Sequence, residues 1–124
     1  MSHRPTLRRA ALLTSSVAVA LVTCAGTASA DTSAPYLSYG SRGEGVKCVQ
    51  AAVNLAHAVS VPLEIDGVWG ERTQWGVVGF QRWKLGDSQA DGIVGPTTGD
   101  KMMEVLSQAP ALADQCYDYL PTHY

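Results

Sequence analysis

Charged residues and histidines are scarce in this sequence, and neither sign of charge dominates. Of the 124 residues 16 % are charged, and nine basic and eleven acidic side chains give a formal net charge of −2 at pH 7. This balance leaves no overall basic surface for nucleic acid. A hydrophobic content of 46 % argues against a disordered charged tail. The length allows one domain.

Few residues are suited to catalysis. After residue 30 the histidines are His57 and His123, and two histidines 66 residues apart are a poor ligand set for a zinc peptidase. The acidic residues fall in predicted turns or on predicted helix exteriors, so they do not form the carboxylate pair across a cleft that muramidase chemistry requires. A serine or cysteine nucleophile would lack a positioned base. We therefore expect no enzyme activity, no cofactor and no metal site.

The N-terminus lacks a hydrophobic run long enough for a membrane span. The run Ala10–Val22 is shorter than the roughly 20 residues required and is interrupted by a Thr-Ser-Ser triplet. It follows a basic stretch without acids and precedes an Ala-Ser-Ala triplet ending at Ala30, the order typical of a secretory signal peptide. We therefore expect residues 1–30 to be cleaved and the remainder to be secreted, without membrane association. The general secretory and twin-arginine routes both stay open.

Cysteine is also sparse, and its count changes with cleavage. Removal of residues 1–30 takes away Cys24 and leaves Cys48 and Cys116 in 94 residues with a net charge of −5. One pair in a secreted chain most simply forms a disulfide rather than two reactive thiols. Closing a loop across a separation of 68 residues contributes on the order of 4 kcal/mol in the chain-entropy model. A contribution of this size matters in a domain this small.

Three helices are predicted in the mature chain. Apolar residues at offsets of three and four predict the first over about 43–58, and Pro62 excludes its continuation. The second is predicted to end near Leu85, where Gly86 follows, and the third near Ser107.

These helices divide the mature chain into three parts. We interpret residues 31–36 as a flexible lead-in and 37–108 as the domain. Residues 109–124 contain two prolines and are predicted to be an irregular tail, tied back by the Cys48–Cys116 disulfide.

An internal repeat is the most informative feature. D-G-V-W-G-E-R-T at 66–73 and D-G-I-V-G-P-T-T at 91–98 share one pattern at a spacing of 25 residues. Asp-Gly is a turn pair, because glycine accepts a positive φ and aspartate bonds its own backbone. The later glycine suits a helix N-cap, and Pro96 suits the first helical position. We expect both apolar residues of each copy in the core, and neither copy has the acidic positions of an EF-hand calcium loop.

Four blocks of sequence carry a family resemblance. G-S-R-G-E-G-V-K-C-V-Q at 40–50, the copy at 66–73, G-V-V-G-F-Q at 76–81 and the copy at 91–98 are similar, in this order, to the motifs of the peptidoglycan-binding domain 1 family. The resemblance covers about residues 37–106. It implies an all-α fold, a small three-helix bundle with DG-turn loops, that binds bacterial cell-wall peptidoglycan without cutting it. The matching motif positions are Gly43, Val46, Gln50, Asp66, Gly67, Trp69, Gly70, Thr73, Phe80, Gln81, Asp91, Gly92, Gly95 and Thr98.

Most of these motif positions are expected to be structural. Trp69, where the family usually has phenylalanine, and Phe80 are predicted core residues. Gln50 and Gln81 follow apolar core residues and are expected to bond backbone groups. His57 is interpreted as an ordinary surface residue.

The second helix departs from the family pattern at three positions. Gly76 and Gly79 lie inside it, and each costs roughly 1 kcal/mol relative to alanine unless another element packs closely there. Trp75 stands where the family usually has a small or polar residue. It is either a stacking platform for a sugar ring or a side chain covered by the C-terminal tail. The candidate ligand-binding residues are Trp75, Arg72, Arg82, Trp83 and Arg42.

The sequence therefore predicts a secreted, monomeric, non-catalytic module that binds peptidoglycan, either its glycan or its stem peptide. Because the mature chain is acidic, recognition should be local rather than by bulk charge attraction. Two alternatives stay open. One is a protein-interaction or regulatory module that acts on a secreted wall hydrolase, and the other is a minimal cell-wall hydrolase.

Overall fold

The described part of the chain is mostly helical, as expected for an all-α protein. The computed structural model describes residues 34–124, and the predicted signal peptide lies outside them. Within this range there is no β-strand, and two isolated β-bridges are the extended pairings. The helices are α1 (Glu44–Leu55), α2 (Glu71–Leu85), α3 (Pro96–Leu106) and α4 (Pro110–Cys116), with a short 3₁₀ turn at Asp87–Gln89 after α2.

Helix α1 forms because its apolar residues repeat on one face. Val46, Val49 and Val53 are fully buried at offsets of three and four. The helix ends at Leu55, earlier than predicted, in a Schellman arrangement in which the Ala58 amide donates to the Val53 carbonyl at 3.1 Å. His57 occupies the left-handed position of this arrangement, with a φ of 55°.

The glycine at position 76 lets α1 and α2 pack closely. A Cβ added there would lie 2.9 Å from Val53 Cγ1, closer than two carbon atoms can pack. Its neighbours on α2, Val77 and Phe80, are fully buried. The helix-propensity cost of Gly76 is therefore offset by the close approach that it permits. Helix α2 ends at Leu85, as predicted, and Gly86 follows it with a φ of 93°.

The C-terminal tail is not irregular, which corrects the sequence prediction. It contains the fourth helix, α4, so the described chain has one helix more than a three-helix bundle. Pro110 takes the first helical position, where its missing amide hydrogen costs no bond, and the prediction wrongly treated it as a breaker. Helix α4 packs against α1 and α3.

A disulfide and a close backbone contact hold the tail in place. Cys48 of α1 and Cys116 of α4 are bonded, with their Cα atoms 5.7 Å apart, as predicted. Both are buried, and so is Leu120 beyond them. The chain then crosses α3 at Gly99, where an added Cβ would overlap the carbonyl oxygen of Pro121. The tail therefore belongs to the core rather than to a loose end.

The segment before α1 joins the two repeat loops. Leu37 is buried and forms an antiparallel bridge with Val94, and Arg42 forms another with Val68. The supporting hydrogen bonds include Val94 N to the Leu37 carbonyl at 2.8 Å and Trp69 N to the Ser41 carbonyl at 3.1 Å. Residues 37–42 therefore fix the two loops side by side.

Candidate functional site

The first repeat loop is held by a buried glutamine from α1. Gln50 is 1 % exposed, and its Oε1 accepts the Gly67 amide at 3.0 Å. Its Nε2 donates to Asp66 Oδ1 at 3.0 Å, to Thr73 Oγ1 at 3.1 Å and to the Val68 carbonyl at 3.2 Å. One side chain therefore links both ends of the turn to the first turn of α2.

The second loop repeats this arrangement with a glutamine from α2. Gln81 is fully buried, and its Oε1 accepts the Gly92 amide at 2.9 Å. Its Nε2 donates to Asp91 Oδ1 at 3.1 Å, to Thr98 Oγ1 at 3.0 Å and to the Ile93 carbonyl at 2.9 Å. The sequence repeat is therefore a repeat in three dimensions, in which each helix supplies the glutamine that positions the start of the next.

The glycines of both loops have the roles that the sequence predicts. Gly67 and Gly92 have φ values of 74° and 75°, in the region that favours glycine. Gly70 and Gly95 are the N-cap residues of α2 and α3.

One expectation about the loops is wrong. In each copy only the second apolar residue is in the core, since Trp69 is 1 % and Val94 0 % exposed. The first residues, Val68 and Ile93, are 40 % and 42 % exposed. The reason is that neighbouring side chains of an extended segment point to opposite sides, and only one side faces the core.

Beside each loop lies a shallow depression, and the two depressions use equivalent residues. The first, about 270 Å³, is lined in part by Asp66, Val68 and Thr73. The second, about 170 Å³, is lined in part by Ile93 and by Tyr36, which lies over the N-cap of α3. These open depressions suit contact with an extended polymer better than enclosure of a small molecule.

Four of the five candidate ligand residues lie on α2. Trp75 and Trp83 are 65 % and 62 % exposed. Arg72 donates from Nη2 to the Val61 carbonyl at 3.0 Å, and Arg82 lies 3.5 Å from an exposed carboxylate of Asp87. Arg42 belongs to a different element, the segment that pairs with the first loop.

The structure answers the question of whether the tail covers Trp75. The tail packs against α1 and α3, where the disulfide and Leu120 hold it, and Trp75 is exposed. Trp69 and Phe80, by contrast, are core residues as expected, and the Trp69 indole donates to Gln74 Oε1 at 2.8 Å.

A third depression, of about 440 Å³, was not anticipated from the sequence. It lies between the turn after α1 and the exposed face of α2, and is lined by Ala56, His57, Ala58, Gly79 and Trp83. The position of Gly79, four residues from each exposed tryptophan, was a signal in the sequence that could have indicated this depression. The left-handed conformation of His57 was not, because this position usually carries glycine.

No match to a known protein was found. Comparisons with models of protein families, with curated proteins and with solved structures each gave none. In residues 34–124 no group of three or more histidine, cysteine, aspartate or glutamate side chains is arranged to hold a metal ion. In the same range no helix has the length and apolar character needed to cross a membrane.

The carboxyl group of Asp66 makes the first loop sensitive to acid. The amide of Val68, and then the side-chain amide of Gln50, donate to it and hold its pKa below the ordinary value of 3.8. A carboxyl with a lowered pKa in the folded state stabilises the protein above its unfolded pKa, and this contribution is lost as pH falls through the folded pKa.

We therefore expect the free energy of unfolding to decrease between about pH 5 and about pH 2, and part of this decrease to disappear in an Asp66→Asn variant. Asparagine keeps an oxygen that accepts from Val68 and Gln50 but has no proton to bind. Urea unfolding at a series of pH values measures the effect. Identical pH profiles for the parent and the variant would contradict it.

Proposed function

We propose that the mature chain is a secreted, non-catalytic module that binds bacterial cell-wall peptidoglycan. The observation that supports this proposal is the correspondence between motif and architecture. The four blocks that resemble the peptidoglycan-binding domain 1 family are the residues that build the two glutamine-held loops and the helices around them. The resemblance therefore involves a connected structural unit rather than scattered positions.

The exposed chemistry is suited to a polymer of sugars and short peptides. Two exposed indoles offer stacking faces, and the guanidinium groups of Arg72 and Arg82 can pair with carboxylates. The buried Cys48–Cys116 disulfide is compatible with an extracellular location. Since the binding face is open, we expect modest affinity from one monomer.

One observation favours the alternative of a protein-interaction or regulatory module acting on a secreted wall hydrolase. All five tyrosines are exposed and lie near the two ends of the described chain, at Tyr36, Tyr39, Tyr117, Tyr119 and Tyr124. Exposed tyrosines are enriched at protein–protein interfaces.

Co-sedimentation with purified peptidoglycan sacculi separates these functions. We expect residues 31–124, with the disulfide intact, to pellet with sacculi and to release no soluble wall fragments. Cellulose of equal mass is the control for non-specific adsorption.

Protein that stays in the supernatant would contradict the binding proposal. If the same protein pelleted with sacculi only when a wall hydrolase was added, the interaction-module function would replace the binding proposal. Release of soluble fragments would instead favour the minimal hydrolase.

A further inference from the structure

The exposed face of α2 has two tryptophans with a glycine between them. Trp75, Gly79 and Trp83 follow one another at intervals of four residues, so they lie on one side of the helix within about 80° of arc. The helical rise separates the two indoles by about 12 Å along the axis. This spacing is on the scale of a disaccharide unit.

Gly79 leaves a groove between the tryptophans. A Cβ at this position would lie 3.3 Å from the Ala58 carbonyl oxygen, which would narrow the space between α2 and the turn after α1. That space is the third depression described above, and Trp83 forms one of its walls. Gly79 is unfavourable for helix stability, but any larger residue at this position would place a side chain in the groove.

His57 lines the same groove in an unfavourable backbone conformation. Its φ of 55° is the left-handed conformation that glycine adopts at little cost and other residues adopt rarely. Its amide donates to the Asn54 carbonyl at 3.0 Å, which fixes it at the end of α1. Glycine would relieve the conformation but would remove the imidazole from the groove.

Charge is unevenly distributed between α2 and the rest of the protein. Helix α2 carries Arg72, Arg82 and Lys84, three of the six basic residues of 31–124, but only Glu71 of the eleven acidic ones. The Lys84 ammonium lies 4.2 Å from the centre of the Trp83 ring and so covers part of that indole. The helix is therefore a cationic, aromatic face on an acidic protein.

Resting on the peptidoglycan-binding function above, we propose that this face binds the glycan strand rather than the stem peptide. Trp75 and Trp83 stack against sugar rings one disaccharide apart, and His57 contacts the strand in the groove between. Arg72 and Arg82 pair with lactyl carboxylates of muramic acid residues that carry no stem peptide, since the amide bond to the peptide otherwise uses this carboxyl group. A stem peptide of small aliphatic and acidic residues would satisfy the arginines but has no rings to place on the two indoles.

Calorimetric titration with glycan strands, stripped of stem peptides by an amidase, tests this assignment. Trp75→Ala and Trp83→Ala should each weaken binding by about tenfold or more, as expected for exposed aromatic anchors. Tyr124→Ala, which removes an equally exposed aromatic ring outside α2, should leave the affinity unchanged. Neutral chitin oligosaccharides should bind more weakly than the carboxylated strands, and an Arg72→Gln/Arg82→Gln variant should lose that preference.

The groove is tested by two further substitutions. Gly79→Leu and His57→Gly should both weaken glycan binding, and circular dichroism would establish that each variant is folded. The conformational relief should also make His57→Gly at least as stable as the parent.

Two results would overturn the assignment while leaving peptidoglycan binding intact. One is that the parent pellets with sacculi and both tryptophan variants pellet equally well. The other is that stripped glycan strands do not bind but soluble stem peptides do. If chitin and carboxylated strands bind alike in the parent and in the arginine variant, the pairing assigned to Arg72 and Arg82 is contradicted. Failure of the parent to pellet at all would instead contradict the peptidoglycan-binding function itself.

Discussion

Replacing Gln81 by glutamate should lower the free energy of unfolding by about 4 kcal/mol at neutral pH. The new oxygen cannot donate to Asp91 Oδ1, to Thr98 Oγ1 or to the Ile93 carbonyl, the three acceptors that the amide serves. It would also bury a negative charge beside Asp91. Because the substitution preserves shape, the loss would report the hydrogen bonds and the buried charge rather than a cavity.

The sign of the pH dependence gives a second readout of the Gln81→Glu variant. Burial and the neighbouring aspartate should raise the pKa of the introduced carboxyl in the folded state. When protonated it can donate one hydrogen bond, so the variant should regain part of its stability relative to the parent as pH falls from about 7 to about 5. Urea unfolding at both pH values measures this.

Two matched substitutions test whether the two buried glutamines, which occupy equivalent positions, also contribute equally to the free energy of unfolding. Gln50→Glu, in the equivalent position of the first loop, should behave like Gln81→Glu, because its amide makes the same set of bonds. Gln74→Glu should be tolerated, because Gln74 accepts from the Trp69 indole through an oxygen that glutamate retains. Equal effects of all three substitutions would contradict a special role for the two buried glutamines.

Removing the disulfide should cost on the order of 4 kcal/mol, an effect of comparable size. The bond links residues 68 apart in sequence, so it constrains a long stretch of the unfolded chain. The double variant Cys48→Ala/Cys116→Ala avoids unpaired thiols, and its urea unfolding should be compared with that of the parent in the oxidised state. Reduction of the parent should reproduce most of the loss.

The disulfide also has a local role that hydrogen exchange can follow. In the double variant, amides of α4 should exchange faster than those of α1, because α4 is short and is joined to α1 through Cys116. Unchanged unfolding and exchange would contradict the contribution assigned to the bond. Titration of the denatured, unreduced parent should find no free thiol.

Helix starts were predictable from the sequence because their chemistry is local. Gly70 and Gly95 are N-caps, Pro96 is the first residue of α3, and each follows an Asp-Gly turn, as the repeat predicts. The end of α1 was less predictable, since His57 takes a left-handed conformation at a position that usually carries glycine. Helix α4 was missed because its stability comes from the disulfide and from packing on α1 and α3, which are non-local.

The exposure of the candidate residues on α2 was predictable from the sequence, but their surroundings were not. Spacing on α2 placed Trp75 and Arg82 on a face away from the core. Whether the tail covered Trp75 depended on where a disulfide from α1 directs the chain, which periodicity does not encode. The groove beside Gly79 also needed the turn after α1 in place, because three of its five lining residues come from that turn. Likewise, the outward direction of Val68 and Ile93 follows from pairing and glutamine bonds rather than from hydrophobicity.

The decisive measurement for peptidoglycan binding is a sedimentation isotherm of oxidised residues 31–124 on purified sacculi. We expect the bound fraction to saturate with increasing protein concentration and to fall when soluble peptidoglycan fragments are added as competitors. Protein that remains in the supernatant at every concentration, or that pellets equally with cellulose, would contradict the proposed function.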